Sequence, residues 1–235
     1  MDISYLLCMV PAFLLTMIAS WYVKSAYRKW SQVAASSGMT GTQAAQRLIA
    51  AGGLQGVQIE EIAGNLTDNY DPRSKVLHLS QSVAESPSVA SIAVAAHELG
   101  HAQQDAQGYF PLRFRSALVP MVSIGSSLGW ILIMAGIFLA YAGMALGTDI
   151  AWLGVVVFSG GAVFALATLP VELNASARAR QLLGEAGIIT GYEEQKGVHT
   201  VLNAAALTYV AALVTAILQL LYFVSMVVGL GRRRR

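Results

Sequence analysis

Two histidines and a glutamate in the middle of the chain have the spacing of a zinc-binding motif. His97 and His101 are four residues apart, and Glu98 follows the first of them. Because residues i and i+4 of a helix project from one face, both imidazoles can bind one Zn²⁺ ion. Glu98 is then placed as general base toward the attacking water, while the metal polarises a carbonyl group as a Lewis acid. The motif therefore predicts hydrolytic zinc chemistry.

The residues around the motif predict that it lies on a helix. Ser86 is a candidate N-cap, and Pro87 suits the first helical position, where a missing N–H costs nothing. An apolar run leads into the motif, and Gly108 and Pro111 are expected to end the helix. So short a motif also occurs by chance, and the alternative is a helix whose histidines are structural.

Composition indicates a membrane protein. Hydrophobic residues make up 55% of the 235 residues and charged residues only 12%, whereas soluble proteins average about a quarter charged residues. A net charge of +2 without a basic stripe argues against a nucleic-acid partner. The single cysteine, Cys8, excludes an intramolecular disulfide and a cysteine-based zinc site. The chemistry must therefore come from histidines and carboxylates.

Four apolar segments are long enough to cross a hydrocarbon layer of about 30 Å. They predict a mainly α, polytopic membrane protein with about four transmembrane helices. The polar stretch that carries the motif adds a small α+β zincin-like metalloprotease part. The predicted parts are a first transmembrane helix (residues 1–23), the zincin-like part with the motif helix (24–117), a transmembrane hairpin (118–170), a helix with a third zinc ligand (171–203), a last transmembrane helix (204–230) and a basic tail (231–235).

Charged residues beside the spans predict the orientation of the chain. Lys24, Arg28 and Lys29 follow the first span, so the positive-inside rule places both polar stretches in the cytoplasm and Met1 outside. Four spans would carry the arginines of residues 232–235 to the far side, against the rule. We expect a multi-pass protein of the cell membrane with its active site on the cytoplasmic side.

The polar stretch before the motif predicts one further helix and two short strands. Thr40 and Gln43 form a capping box for a helix that ends at Gly52 and Gly53. Residues 57–60 and 76–79 alternate like strands, and residues 69–74 indicate a turn. The two strands either offer an edge to an extended peptide or form a hairpin that only covers the motif helix.

Catalytic zinc requires a third protein ligand. Glu172 is the best candidate, since it lies where the third span is expected to emerge on the side of the motif. Asn174 and Arg178 are close to it in sequence and are candidates to orient the ligands or to stabilise an oxyanion. A solvated helix face is the alternative interpretation of Glu172. Other candidate ligands are Asp105, His78 and His199.

Several segments that run in order along the chain together resemble a known family. They are residues 37–41 (SGMTG), 69–73 (NYDPR), 75–80 (KVLHLS), 95–102 (AAHELGHA) and 170–176 (PVELNAS). The chain resembles the YugP-like neutral zinc metallopeptidases, which are distantly similar to HtpX-type proteases. The resemblance implies a gluzincin site in which His97, His101 and Glu172 bind zinc and Glu98 is the general base. Where HtpX-type enzymes have an aspartate this chain has Ser176, so we expect a different partner for a ligand histidine, with Asn174 as the candidate.

The sequence predicts a membrane-embedded zinc metalloendopeptidase that hydrolyses membrane or membrane-proximal proteins through zinc-activated water. Its expected partners are the lipid bilayer and a membrane protein or peptide substrate. An intramembrane protease of the site-2 type is disfavoured, because the motif helix ends in polar residues and no aspartate lies within a later apolar run. From another class, the alternative is a non-catalytic metal-binding membrane scaffold or regulator.

Overall fold

The computed structural model describes residues 3–232. The predicted orientation also involves Met1 and the arginines 233–235, which lie outside the described residues. The described chain is mainly helical with one small sheet, which confirms the predicted fold class. Its elements are α1 (Ile3–Ser31), α2 (Gly41–Ala51), β1 (Gln58–Ile62), β2 (Asn69–Asp71), β3 (Val76–Ser80), α3 (Gln81–Ala84), α4 (Val89–Ala106), α5 (Phe110–Tyr141), α6 (Leu146–Glu185) and α7 (Tyr192–Arg232).

Four of the helices, α1, α5, α6 and α7, are long and apolar enough to cross a membrane, with a mean hydropathy of 2.0 to 2.2 over their most apolar stretch. Each extends beyond the apolar segment seen in the sequence. The 40 residues of α6 run from Leu146 to Glu185 in one helix, so Glu172 lies on the same helix as the third apolar segment. Its side chain is therefore held on a regular backbone.

The described residues divide into two compact units, and the apolar parts of the long helices form one of them. Within it, α5 and α6 approach so closely that a Cβ atom on Gly136 would overlap the backbone of Ala151. Small residues allow such contact between helices in lipid, where the hydrophobic effect does not drive association. The buried side chains of this apolar unit include Ile133, Val155 and Phe223.

The second unit, Ala19–Leu112 with Pro170–Thr208, contains the sheet. Its strand order is β1-β3-β2, with β1 parallel and β2 antiparallel to β3. Of the two alternatives for residues 57–60 and 76–79, the hairpin is therefore wrong, because these segments pair in parallel. Residues 69–71, expected in the turn, form β2, and the Asp71 carboxylate organises the turn that follows by accepting the Arg73 N–H and the Ser74 hydroxyl. β3 becomes the central strand, with Leu77 and Leu79 fully buried.

The boundaries of α2 confirm its predicted capping box, whereas the predicted start of α4 is wrong. The Thr40 hydroxyl accepts the Gln43 N–H, and the Gln43 side chain accepts the Thr40 N–H. The N-cap of α4 is Ser88, not Ser86, since the Ser88 hydroxyl accepts the Ser91 N–H. The chain around Ser88 is held extended by backbone hydrogen bonds to residues 33–35, which delays the helix.

The end of α4 agrees with its predicted glycine stop. The helix ends at Ala106, and Gly108 adopts a φ of +64°, a conformation that favours glycine. Pro111 has another role than predicted, because it lies in the first turn of α5, where its missing N–H is tolerated.

Candidate metal centre

Helices α4 and α6 bring the two motif histidines and Glu172 together. The Nε2 atoms of His97 and His101 lie 3.3 Å and 3.4 Å from the same carboxylate oxygen, Oε2 of Glu172. The candidate ligand atoms of all three residues lie within 4.8 Å of one another. Glu172 is only 2% exposed, so a solvated helix face is excluded as its interpretation.

The distances suit a tetrahedral zinc site. Ligand atoms that bind Zn²⁺ at about 2.0–2.1 Å in tetrahedral geometry lie about 3.3 Å from one another. The separations of 3.3 Å and 3.4 Å match this spacing. Two imidazole nitrogens and one carboxylate oxygen also leave a fourth position for water or substrate, as catalytic zinc sites require. The residues present therefore fit the metal that the motif predicts.

A buried glutamine fixes the tautomer of His101. The Nε2 group of Gln104 donates to the carbonyl oxygen of Val171 at 2.8 Å, and a carbonyl can only accept. The other end of the amide, Oε1, must therefore be the acceptor of the hydrogen bond with His101 Nδ1, at 3.0 Å. With its proton on Nδ1, His101 has a lone pair on Nε2, the nitrogen near Glu172. A histidine that binds a metal needs such an unprotonated nitrogen.

Asn174 was expected to contact a ligand histidine, but it contacts the glutamine that holds His101 instead. Its Oδ1 atom accepts hydrogen bonds from Gln104 at 2.9 Å and from Arg178 at 2.7 Å. No hydrogen bond joins Asn174 to His97 or His101 among the described residues. The partner of His97 is Ser176, whose hydroxyl lies 3.2 Å from Nδ1. The serine thus takes the contact for which Asn174 was the candidate, because it is on the face of α6 that meets His97.

Arg178 connects α6 to the end of α4. Besides Asn174 it donates to the side-chain oxygens of Gln103 at 3.1 Å and Gln107 at 2.7 Å. These contacts use its donors to hold the two helices together and orient the Asn174 amide. Arg178 therefore stabilises the packing of α4 on α6, the two helices that carry the candidate ligands.

A glycine allows α4 and α6 to come this close. A Cβ atom added to Gly100 would overlap the backbone carbonyl of Ala175. Gly100 immediately precedes His101, and Ala175 lies between Asn174 and Ser176. The glycine inside the motif therefore sets the separation of the helices that carry the candidate ligands.

The carboxylate of Glu98 is held by the edge strand of the sheet. The backbone N–H of Tyr70 in β2 donates to Glu98 Oε2 at 3.1 Å. Burial raises the pKa of the Glu98 carboxyl and the nearby Glu172 carboxylate adds to this, while the two histidines lower it. A half-buried carboxylate with a raised pKa beside the candidate ligands suits a general base.

Asp105, the main rival of Glu172, has a different partner. Its Oδ2 atom accepts the Tyr70 hydroxyl at 3.0 Å. Burial raises the pKa of the Tyr70 phenol, and Asp105 raises it further, so the hydroxyl keeps its proton and donates. His78 lies on β3, 3.8 Å from Glu60, and His199 is exposed on α7. Among residues 3–232, none of these three joins the metal-ligand group.

Comparison with known proteins gives one family match and one close relative. Residues 5–228 match the family model described as "Putative neutral zinc metallopeptidase". The chain belongs to this family. It is also 41% identical to the "Putative membrane protease YugP" of Bacillus subtilis (strain 168) over 215 residues, which cover 92% of each chain. No solved structure matches it.

Sequence reasoning about this member of the family missed the roles of Gln104 and Tyr70. Gln104 follows His101 by three residues, so helical spacing alone places it beside that histidine. Its polar side chain is fully buried, which the polar end of the motif helix did not suggest. No local pattern could have found Tyr70, since its contacts with α4 depend on the position of β2.

Proposed function

We propose that the protein is a membrane-embedded zinc metalloendopeptidase that hydrolyses peptide bonds of membrane or membrane-proximal proteins. The observation that carries the proposal is the convergence of two Nε2 atoms on one oxygen of Glu172 at tetrahedral spacing. Membership of a zinc metallopeptidase family and the likeness to a membrane protease support it.

In this proposal His97, His101 and Glu172 hold the zinc ion, the ligand set of a gluzincin. Bound zinc supplies Lewis acidity, which polarises the scissile carbonyl and makes water more acidic. Glu98 takes the proton of the attacking water as the water oxygen bonds to the carbonyl carbon, and it returns the proton to the nitrogen when the C–N bond breaks. The Tyr70 N–H orients the Glu98 carboxylate for this transfer.

The edge of the sheet supports a peptide substrate. β2 pairs with β3 on one side, and its Tyr70 N–H is directed to Glu98 instead of β3. An extended peptide can lie along such an edge strand and pair with its remaining backbone groups, since the Tyr70 N–H already donates to Glu98. A segment bound along β2 would pass Glu98 with its backbone extended, as cleavage of an internal peptide bond requires.

The charges beside the first long helix support a cytoplasmic site in a multi-pass membrane protein. Lys24, Arg28 and Lys29 lie within the second unit, directly after the apolar part of α1, and Arg113 precedes the apolar part of α5. Cytoplasmic loops carry an excess of such residues near the ends of spans.

The proposal is tested by comparing cells that produce the wild-type chain with cells that produce Glu98→Gln. We expect membrane-protein fragments whose appearance depends on Glu98, and purified Glu98→Gln that keeps about one zinc ion per chain while its cleavage rate falls about 10²–10⁴-fold. The matched control is Glu85→Gln, an exposed glutamate outside the ligand set. Equal fragments and equal rates in wild type and Glu98→Gln would overturn the proposal in favour of a metal-binding scaffold.

A further inference from the structure

A small cavity lies along the last turns of α4, beside the candidate metal centre. Its volume is about 200 Å³, and it is a half-open cleft lined by α4, β2, the turn after β2 and the loop between α2 and β1. Drug-sized ligands occupy pockets of about 300–1,000 Å³. This cavity is therefore the size of a single side chain. The residues that decide its character are Leu54, Val57, Tyr70, Ala102, Asp105 and Ala106.

The cavity continues the face of α4 that carries Glu98. Ala102 and Asp105 follow Glu98 by four and seven residues, so the three lie on one stripe of the helix. Tyr70 follows the same stripe, because its N–H contacts Glu98 at 3.1 Å and its hydroxyl contacts Asp105 at 3.0 Å. One residue of the edge strand thus connects the proposed general base to the wall of the cavity.

The walls of the cavity are held in place without a ligand. The Tyr70 hydroxyl fixes the Asp105 carboxylate. Lys75, which also lines the cavity, has a φ of +56°, and its carbonyl oxygen accepts the N–H of Gln58. A non-glycine residue in the left-handed region needs surrounding contacts to hold it, and such residues cluster at functional sites.

The lining favours an apolar guest. Leu54, Val57, Ala102 and Ala106 supply the apolar part of the lining, and Gln55 is an uncharged polar residue in it. Lys75 and Asp105 contribute one charge of each sign, so neither a cationic nor an anionic side chain gains from the cavity as a whole. Apolar contacts then decide which side chains bind. Each buried CH₂ group adds about 0.8 kcal/mol to the free energy of binding.

The distance to Glu98 fits a substrate that lies along β2. Seven residues of helix advance about 10 Å, and an extended peptide advances about 3.3 Å per residue. We propose that the cavity is a substrate subsite that takes one apolar side chain, up to the size of phenylalanine, two or three residues from the scissile bond. The inference rests on the proposed peptidase function and names the side-chain class which that function selects.

The test fills the cavity and measures the side-chain preference. Ala106 is the exposed last residue of α4, so Ala106→Phe places a ring in the cavity from a tolerant position. The full-length zinc-loaded protein in detergent is given a library of synthetic dodecapeptides, and the cleaved products are sequenced. We expect wild type to prefer Leu, Met or Phe at one position two or three residues from the cleaved bond. We expect Ala106→Phe to lower kcat/KM for those peptides by about 10-fold or more relative to peptides with Ala there.

Two further variants make the outcome decisive. Ala63→Phe, the same change at an exposed site away from the cavity, should keep the wild-type preference. Gly56→Leu fills the cavity from its opposite wall and should reproduce the effect of Ala106→Phe if that variant does not fold. Peptide cleavage with an unchanged preference in both cavity variants would overturn the subsite and leave the peptidase function intact. No zinc-dependent cleavage by wild type would overturn the peptidase function and the subsite with it.

Discussion

The Nδ1 atom of His101 lies 3.0 Å from Oε1 of Gln104, three residues further along the same helix. Because the amide nitrogen of Gln104 must donate to the carbonyl of Val171, the histidine can only donate to Oε1. The fully buried glutamine thus selects the tautomer that frees Nε2 for a metal. A link from α4 to α6 thereby orients one candidate ligand in the tautomer that metal binding needs.

Replacement of Gln104 by methionine should weaken zinc binding while the ligands stay in place. Gln104→Met keeps a similar volume but removes the acceptor of His101, and loss of such a partner costs about 10–100-fold in metal affinity. Competition with a chromophoric chelator measures the affinity. Gln103→Met is the matched control, because Gln103 lies on the same helix and its side chain contacts Arg178 instead of a histidine. Equal affinities in the two variants would refute the role of Gln104.

Removal of the Glu172 carboxylate should release the metal. In Glu172→Ala both histidines lose the oxygen that lies 3.3 Å and 3.4 Å from them, and two ligands alone do not make a closed site. We expect the zinc content of the purified protein to fall from about one ion per chain to a small fraction, measured by elemental mass spectrometry. Asp105→Ala is the control and should keep its zinc. Zinc retained by Glu172→Ala and lost from Asp105→Ala would reverse the assignment.

Gly100 and Gly184 should respond to alanine in opposite directions. In Gly100→Ala the new Cβ overlaps the Ala175 carbonyl, and such overpacking lowers the free energy of unfolding by about 1–3 kcal/mol. At Gly184 on α6 an added Cβ meets open space. Gly184→Ala should therefore raise the free energy of unfolding by about 0.5–1 kcal/mol, because alanine has the higher helix propensity. Thermal unfolding in detergent compares the two. A Gly100→Ala protein as stable as wild type would contradict the close packing of α4 on α6.

Cysteine labelling should place residues 32 and 149 on opposite sides of the membrane. Gln32 follows α1, Asp149 lies in the first turn of α6, and both are exposed. On a Cys8→Ala background, an impermeant maleimide applied to intact cells should label Asp149→Cys and should label Gln32→Cys only after lysis. The expectation follows from the positive charges beside α1. Labelling of both cysteines in intact cells would exclude the four-span arrangement.

Where local chemistry decides, sequence reasoning predicted the structure well. The capping box at Thr40 starts α2, and the glycine stop after Ala106 ends α4, because each depends on hydrogen bonds or φ angles within a few residues. The start of α4 was wrong, since backbone contacts with residues 33–35 hold Ser88 extended. The hairpin alternative for the strands was wrong because alternation indicates a strand but does not select its neighbour.

The sequence by itself determined the spacing of His97 and His101, the four long apolar helices and the family, all of which depend on residue order alone. The tertiary structure decided which groups surround those histidines. His97 and Glu172 are 75 residues apart in the chain, and their contact exists because Gly100 lets α4 pack closely on α6. Tyr70 reaches Glu98 only because β2 lies at the edge of the sheet. Contacts between distant segments arise from packing, which spacing along one helix does not encode.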